Sequence, residues 1–285
     1  MSRTSKSKSG FHRLVVILSV SLFVATGRAE TWRLIWSDEF NGPVGADIDT
    51  NRWTAETGGD GWGNQEWEFY TASPRNVALD GKGCLLITAL KLPLHTFKTK
   101  HGDGAYSSAR LITEKKFSVK YGRIEARIKI PAGQGVWPAF WMLGDDNAAV
   151  SWPKCGEVDI MENIGKESDV VHGTMHGPGY FAGEGPTAKF CFKDHRRIAD
   201  GFHIFGVEWE ADEIRWYVDG QLYARRTPAD LPKGKQWVFN KPFFLLLNLA
   251  IGGEWPGNPD ATTKFPAVMA VDYVRVYQRP PTRKF

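Results

Sequence analysis

The sequence predicts an all-β chain, a sandwich of two antiparallel sheets. Apolar and polar residues alternate with period two over several stretches. Gly, Pro and Asn separate these short stretches, as strand-ending turns require. No long segment keeps the 3.6-residue spacing of a helix that buries one face.

The chain begins with Arg3, Lys6, Lys8 and Arg13, then an apolar run from Leu14 to Ala25, then small residues at Gly27 and Ala29. This pattern is expected to be a secretory leader over residues 1–29, the run being short for a span of ~20 residues. Residues 30–285 show no composition break or repeat and are expected to form a single catalytic domain. Without the leader, which carries five bases and no acid, the formal charge falls from +4 to −1. Composition therefore gives no case for nucleic-acid binding or, once the leader is cleaved, for membrane attachment. A monomer is expected.

Arg123–Ile130 alternates as a strand with one wet face. Phe202–Glu210 reads as a strand that leads into a hairpin. In that hairpin Asp219-Gly220, suited to a two-residue type I′ turn, separates Glu213–Val218 from Gln221–Arg225. Phe243–Ile251 is almost wholly apolar and reads as a buried central strand, and Val271–Tyr277 alternates again. Of the three cysteines, Cys84 sits in an apolar run and is expected to be a buried free thiol; export would permit Cys155–Cys191, which sequence does not establish.

Glu157-Val-Asp-Ile-Met-Glu162 places three acids among apolar residues. Crowded carboxyls push one another's pKa values apart, and glycoside hydrolysis needs one ionised and one protonated carboxyl. On a regular strand Glu157 and Asp159 share a face, whereas Glu162 points the other way. A β-bulge at Ile160-Met161 would return Glu162 to that face, and parity alone predicts it. Four ladder steps separate the two glutamates by roughly 13 Å of backbone, so their side chains must lean together on a strand curved toward a substrate cleft. The bland alternative is a charged strand face, but Lys154 and Lys166 fall outside the triplet and no cation falls inside it.

This hexapeptide resembles the E-x-D-x-x-E signature of glycoside hydrolase family 16. Further resemblances follow in order: Trp36–Phe40, Gly63–Tyr70, Ser108–Arg110, Tyr121–Glu125, Gly135–Leu143, His172–His176, Leu249–Gly253 with Trp255, and Val271–Val276. The resemblance implies a concave β-jelly-roll and retaining, endo-acting hydrolysis of a β-glucan polysaccharide. Position by position it implies Glu157 as nucleophile, Glu162 as acid/base and Asp159 as the assisting carboxylate. The extra Met161 resembles the laminarinase-like branch, including endo-1,3-β-glucanases, although agarases and carrageenases share it. Mixed-linkage glucan, agar, carrageenan, transglycosylation and non-catalytic glucan binding remain alternatives.

Sugar rings present apolar faces and hydroxyl edges, which aromatic planes and planar polar side chains complement. Most of the 12 Trp are expected in the core, but Trp137, Trp141 and Trp255 lie in motifs that resemble the family's cleft. Asn64, Arg110 and Asn248 match hydroxyl-binding positions. His172 and His176 have a spacing that could bind zinc on a helix, but the β pattern argues against it; His176 matches a position near the leaving-group sugar. No catalytic cofactor is implied. Asp272 reads either as an ordinary exposed strand residue or, by resemblance, as a ligand of a structural calcium with the carbonyls of Glu39 and Gly83.

Overall fold

The computed structural model describes Met1 and residues 32–100, 102–193 and 196–280. The expected leader, Met1 apart, lies outside the described residues. The strands, in chain order, are β1 (Arg33–Asp38), β2 (Thr54–Glu56), β3 (Glu68–Tyr70), β4 (Val77–Leu79), β5 (Leu85–Lys91), β6 (Phe97–Thr99) and β7 (Gly102–Gly104). They continue with β8 (Tyr106–Ser108), β9 (Arg110–Ile112), β10 (Gly122–Lys129), β11 (Val136–Gly144), β12 (Glu157–Glu162), β13 (Val170–His176) and β14 (Thr187–Cys191). The rest are β15 (His203–Glu210), β16 (Glu213–Val218), β17 (Gln221–Arg226), β18 (Phe243–Ile251) and β19 (Ala267–Gln278). The one α-helix among the described residues, α1 (Asn147–Val150), is too short to cross a membrane.

Two large sheets form the sandwich. The ten-stranded sheet runs β17-β16-β15-β10-β19-β5-β8-β3, with β1 also on β19 and β4 also on β5. The seven-stranded sheet runs β14-β13-β12-β11-β18-β9-β2, and β6 and β7 form a separate ribbon. Pairing is antiparallel as expected, except that β3 and β8 run parallel. The Asp219-Gly220 turn joins β16 to β17, with φ of 49° and 77°. Positive φ at both central residues is what a type I′ turn requires.

The inter-sheet core is apolar. From the seven-stranded sheet come Phe140, Met142, Val158, Ile160, Met161, Leu245, Leu247 and Leu249; from the ten-stranded sheet come Ile124, Phe205, Val207, Trp209, Trp216 and Val276. All nine residues of β18 are buried, because both of its faces are covered. Its outer face packs Phe244 and Leu246 against Ile112, Leu143, Cys155 and Trp141.

The bulge in β12 forms where parity requires it. Phe140 pairs with Met161 and Trp141 with Asp159, so Ile160 has no opposite number on β11. On the other side Asp159 faces Thr174 and Glu162 faces His172, leaving Ile160 and Met161 opposite Gly173 alone. Both bulge side chains are fully buried. Burying each is worth ~1.5–3 kcal/mol, more than the ~0.5–1.5 kcal/mol of a lost ladder hydrogen bond, so burial wins. The indole Nε1 of Trp216 on β16 donates to the Asp159 carbonyl at 2.8 Å, tying the bulge to the opposite sheet. A Cβ on Gly173 would stand 2.6 Å from Trp216 Cδ1 and collide with the Tyr223 hydroxyl, so only glycine admits that contact.

The three cysteines are free thiols, and the Cys155–Cys191 pair is not formed. Cys155 is buried within the outer apolar cluster, while Cys191 is exposed at the end of edge strand β14. Cys84 is half-buried rather than buried, because it precedes β5 in a turn where its backbone N–H donates to Asp80.

Candidate active site

Register across the seven-stranded sheet builds the site. One transverse row reads Lys189–His172–Glu162–Ala139–Asn248–Arg110–Glu56, each residue opposite the next. Residues opposite one another point to the same face. Trp137 and Trp141 flank Ala139 at i ± 2 on a strand that pairs with β18 without interruption, so they share this face. Glu157, opposite His176, and Asp159, opposite Thr174, join it from the other end of β12. The site stands on the face away from the inter-sheet core.

Each acid has its own neighbours. Trp137 Nε1 donates to Glu162 Oε1 at 3.0 Å. His176 Nε2 lies 3.1 Å from Asp159 Oδ2 and 3.7 Å from Glu157 Oε1. The Asp159 contact is close enough for an ion pair, but Oδ2 lacks hydrogen-bond alignment. Burial raises the Glu157 pKa, as does the neighbouring Asp159, while the nearby Trp152 indole lowers it. Burial pushes all three carboxyls up: Asp159 to about 7, Glu157 to about 8, and Glu162 well above the usual range. Repulsion from Asp159 raises both glutamates further, while His176 lowers both.

Aromatic groups wall the acids on two sides. Near Glu162, Trp255 sits edge-on to Trp137 at 5.3 Å and to His172 at 4.9 Å. Near Glu157, Trp152 lies 6.2 Å from His176 and 5.3 Å from Phe181. Trp152 and Phe181 are 43% and 40% exposed, available as platforms. Farther along the row, the Arg110 guanidinium lies 4.9 Å from the Trp62 ring and 4.8 Å from the Trp141 ring. Its Nε donates to Glu56 Oε2 at 2.5 Å. Trp141 Nε1 donates to Asn248 Oδ1 at 2.7 Å, and Asn64 Nδ2 donates to Glu66 Oε1 at 2.9 Å.

The structure thus gathers Glu157, Asp159, Glu162, Trp137, Trp141, His176, Asn248 and Arg110 on one sheet face, with Trp255 against Trp137. Asn64 joins through the Glu66 network on the loop before β3. Sequence reasoning missed Trp152, Phe181, His172, Glu66, Glu68 and Tyr70. Trp152, in the Ser151-Trp-Pro-Lys loop, and Phe181 lie outside the quoted motifs. Glu66 and Glu68 were inside one, but as two more acids, just before and at the start of a short strand, they gave no sign of burial. His172 Nε2 is within 2.8 Å of Glu167 Oε2, and burial holds its pKa below the usual value. A separate concavity of about 730 Å³, lined in part by Lys91, Tyr106 and Phe265, contains none of the three carboxyls. The acids, not the volume, locate the chemistry.

Glu39, Gly83 and Asp272 belong to the other sheet, at β19 and its neighbours β1 and β5. Asp272 Oδ2 is held by Arg127 Nη1 at 2.6 Å, and Glu39 is paired with Arg275. No orphaned buried oxygen stands beside them among the described residues.

Carboxyls of graded acidity on one strand, facing aromatic walls and a polar row, define a hydrolase of glycosidic bonds. The model of glycosyl hydrolases family 16 matches residues 64–275, and the chain belongs to that family. It is 39% identical to a β-glucanase of Rhodothermus marinus over 96% of each chain. The endo-β-1,3-glucanase of Pyrococcus furiosus superimposes with a TM-score of 0.81 at 47% identity, covering 87% of this chain and 95% of that one. The laminarinase catalytic domain of Thermotoga maritima gives 0.81 at 46% identity, covering 88% of this chain and 100% of the domain.

Proposed function

We propose that the protein is a secreted endo-β-1,3-glucanase that cleaves laminarin-like glucan with retention through a covalent glycosyl-enzyme. One observation carries the mechanism: the bulge at Ile160-Met161 turns Glu162 onto the face of Glu157 and Asp159. Glu162, which burial keeps protonated, donates its proton to the glycosidic oxygen as the C1–O bond breaks. Glu157 attacks C1 from the other side and forms an ester. For that attack the proton of the Glu157–Asp159 pair must pass to Asp159, which leaves Glu157 as the carboxylate. Water then adds to C1, Glu162 takes its proton, and the ester bond breaks to release Glu157. Two inversions leave the anomeric configuration unchanged.

Endo action is supported by the row continuing on both sides of Glu162, toward His172 and Lys189 and toward Asn248 and Arg110. At ~4.8 Å per strand step, Glu162 to Arg110 spans roughly 14 Å, room for more than one sugar. The β-1,3 linkage is supported by the names of the similar proteins and by Met161. Export is supported by the basic head, apolar run and small residues of the leader.

The test is product analysis on laminarin, lichenan, curdlan, agarose and carrageenan, with NMR of the first-formed anomer. The expected result is internal cleavage of laminarin with the β-anomer formed first. Glu157→Gln and Glu162→Gln should each lower the rate by about 10²–10⁴-fold or more while the fold is kept. An α-anomer formed first would overturn retention, and wild-type activity in either variant would overturn the assignment of the acids.

A further inference from the structure

A second pair of buried carboxyls lies beside the first. Glu66 and Glu68 are 3% and 0% exposed and near enough for their charges to interact, and Glu68 Oε1 is buried with no hydrogen-bond partner among the described residues. Two buried carboxyls side by side disfavour a second negative charge, so one of them keeps a proton. Glu68 Oε2 already accepts from the Ile251 backbone N–H at 2.6 Å. Glu66 accepts from Asn64 Nδ2 at 2.9 Å and from the Tyr70 hydroxyl at 3.0 Å.

The direction of every bond from the cleft inward follows from what each group can donate. The Trp141 indole is a donor only, so the Asn248 atom facing it at 2.7 Å must be its carbonyl oxygen. The Asn248 amide nitrogen therefore turns inward and donates to the Tyr70 oxygen at 3.1 Å. Tyr70 has one proton, and it goes to Glu66. Glu66 thus receives a donor on each oxygen, Asn64 on Oε1 and Tyr70 on Oε2, an arrangement that suits an ionised carboxylate. The Arg110 charge, held against the Trp141 ring, lies near enough to favour that anion.

We propose that Glu66 is a positioning residue of the sugar-binding face: its carboxylate, kept anionic by a proton held on Glu68, orients Asn64 directly and Asn248 and Trp141 through Tyr70. Burial raises both acids, and Glu68 further, because the neighbouring Glu66 charge adds to its desolvation. The chain ends at Trp141 and Asn64, and none of its hydrogen bonds goes to Glu157, Asp159 or Glu162. Its effect falls on binding rather than on bond breaking. The inference rests on the glucanase reading for the choice of substrate.

KM and kcat on a laminarin oligosaccharide, with Tm, separate the roles. Glu66→Gln presents an amide donor to groups that are themselves donors, so one of them must turn away. It should raise KM about tenfold, the size expected for a charge-assisted hydrogen bond, with kcat within about threefold. Tyr70→Phe, which removes only the hydroxyl, should raise KM in the same direction and covers the case in which Glu66→Gln fails to fold. Glu68→Gln, neutral like the protonated carboxyl, tests where the proton sits and should raise KM less than Glu66→Gln does. A wild-type KM in folded Glu66→Gln, or an equal rise in Glu66→Gln and Glu68→Gln, would overturn the proposal, as would a loss confined to kcat. If wild type fails to cut laminarin, the linkage reading has failed. The same variants are then compared on whichever glucan of the panel is cut, and their pattern still decides the proposal.

Discussion

Trp137 Nε1 donates to Glu162 Oε1 at 3.0 Å, and the ring that makes this bond also packs edge-on against Trp255. One side chain therefore serves two ends. It lends the acid a donor that favours its carboxylate, and it forms part of the apolar wall beside it. This donor opposes the burial and the Asp159 repulsion that push Glu162 up.

Replacing Trp137 with Phe keeps much of the wall and removes the donor. The carboxylate of Glu162 then loses a stabilising bond, so its pKa rises. The alkaline limb of kcat/KM should move up by up to about one pH unit, the equivalent of ~1 kcal/mol. A pH–rate profile of Trp137→Phe beside wild type measures this; a limb that moves down contradicts it.

The raised carboxyls also make folding depend on pH. A carboxyl whose folded pKa lies above its unfolded value contributes stability that is complete below the unfolded pKa and is lost as pH rises through the folded one. For Glu157 and Asp159 the window runs from the model-compound values of 4.5 and 3.8 to about 8 and about 7. Substrate-free enzyme should lose Tm steadily between pH 5 and 8. Glu157→Gln cannot ionise there and should show a flatter profile, higher than wild type at pH 8 by roughly 3 °C or more. Parallel profiles would contradict the burial of these charges.

Gly173 makes room for the Trp216 indole to reach the bulge carbonyl. Gly173→Ala overpacks that contact and should cost about 1–3 kcal/mol, a Tm loss of roughly 3–9 °C. Because β12 moves with it, activity should fall by more than the loss of folded protein explains. Calorimetry with kinetics on the soluble fraction tests this, and unchanged Tm and rate would refute it.

Arg127 Nη1 pairs with Asp272 Oδ2 and supplies a charge opposite that carboxylate. Chelation should therefore leave Tm unchanged, whereas Arg127→Ala should lower it modestly, by up to about 1 kcal/mol as for exposed ion pairs. A clear Tm rise on adding calcium to chelated wild type would establish the alternative, with Asp272 and the carbonyls of Glu39 and Gly83 as its ligands.

Much of the fold could be read locally. The Asp219-Gly220 hairpin, the buried run Phe243–Ile251 and the alternation of Arg123–Ile130 each encode their element through side-chain period or turn chemistry, which need no distant partner. The bulge was readable for the same reason: a strand has a parity, and three acids cannot serve one face unless Ile160-Met161 breaks it. The role of Trp152 was not readable, because nothing in Ser151-Trp-Pro-Lys says that its ring meets His176 and Phe181. Nor was the burial of Glu66 and Glu68, since an acid just before a three-residue strand and another at its start look solvated until Tyr70, Asn248 and Ile251 close over them.

Several strands, the place where β12 must kink and three candidate acids were legible in the sequence, since period, parity and pKa crowding act over a few residues. Tertiary structure alone decided what each acid touches. Glu162 meets Trp137 from β11, Asp159 and Glu157 meet His176 from β13, and Glu66 anchors a chain of bonds that reaches β18 and β11. Those contacts depend on strand order and cross-strand register. Register is set by the burial of whole sheet faces against each other, a sum over distant segments that no local pattern contains.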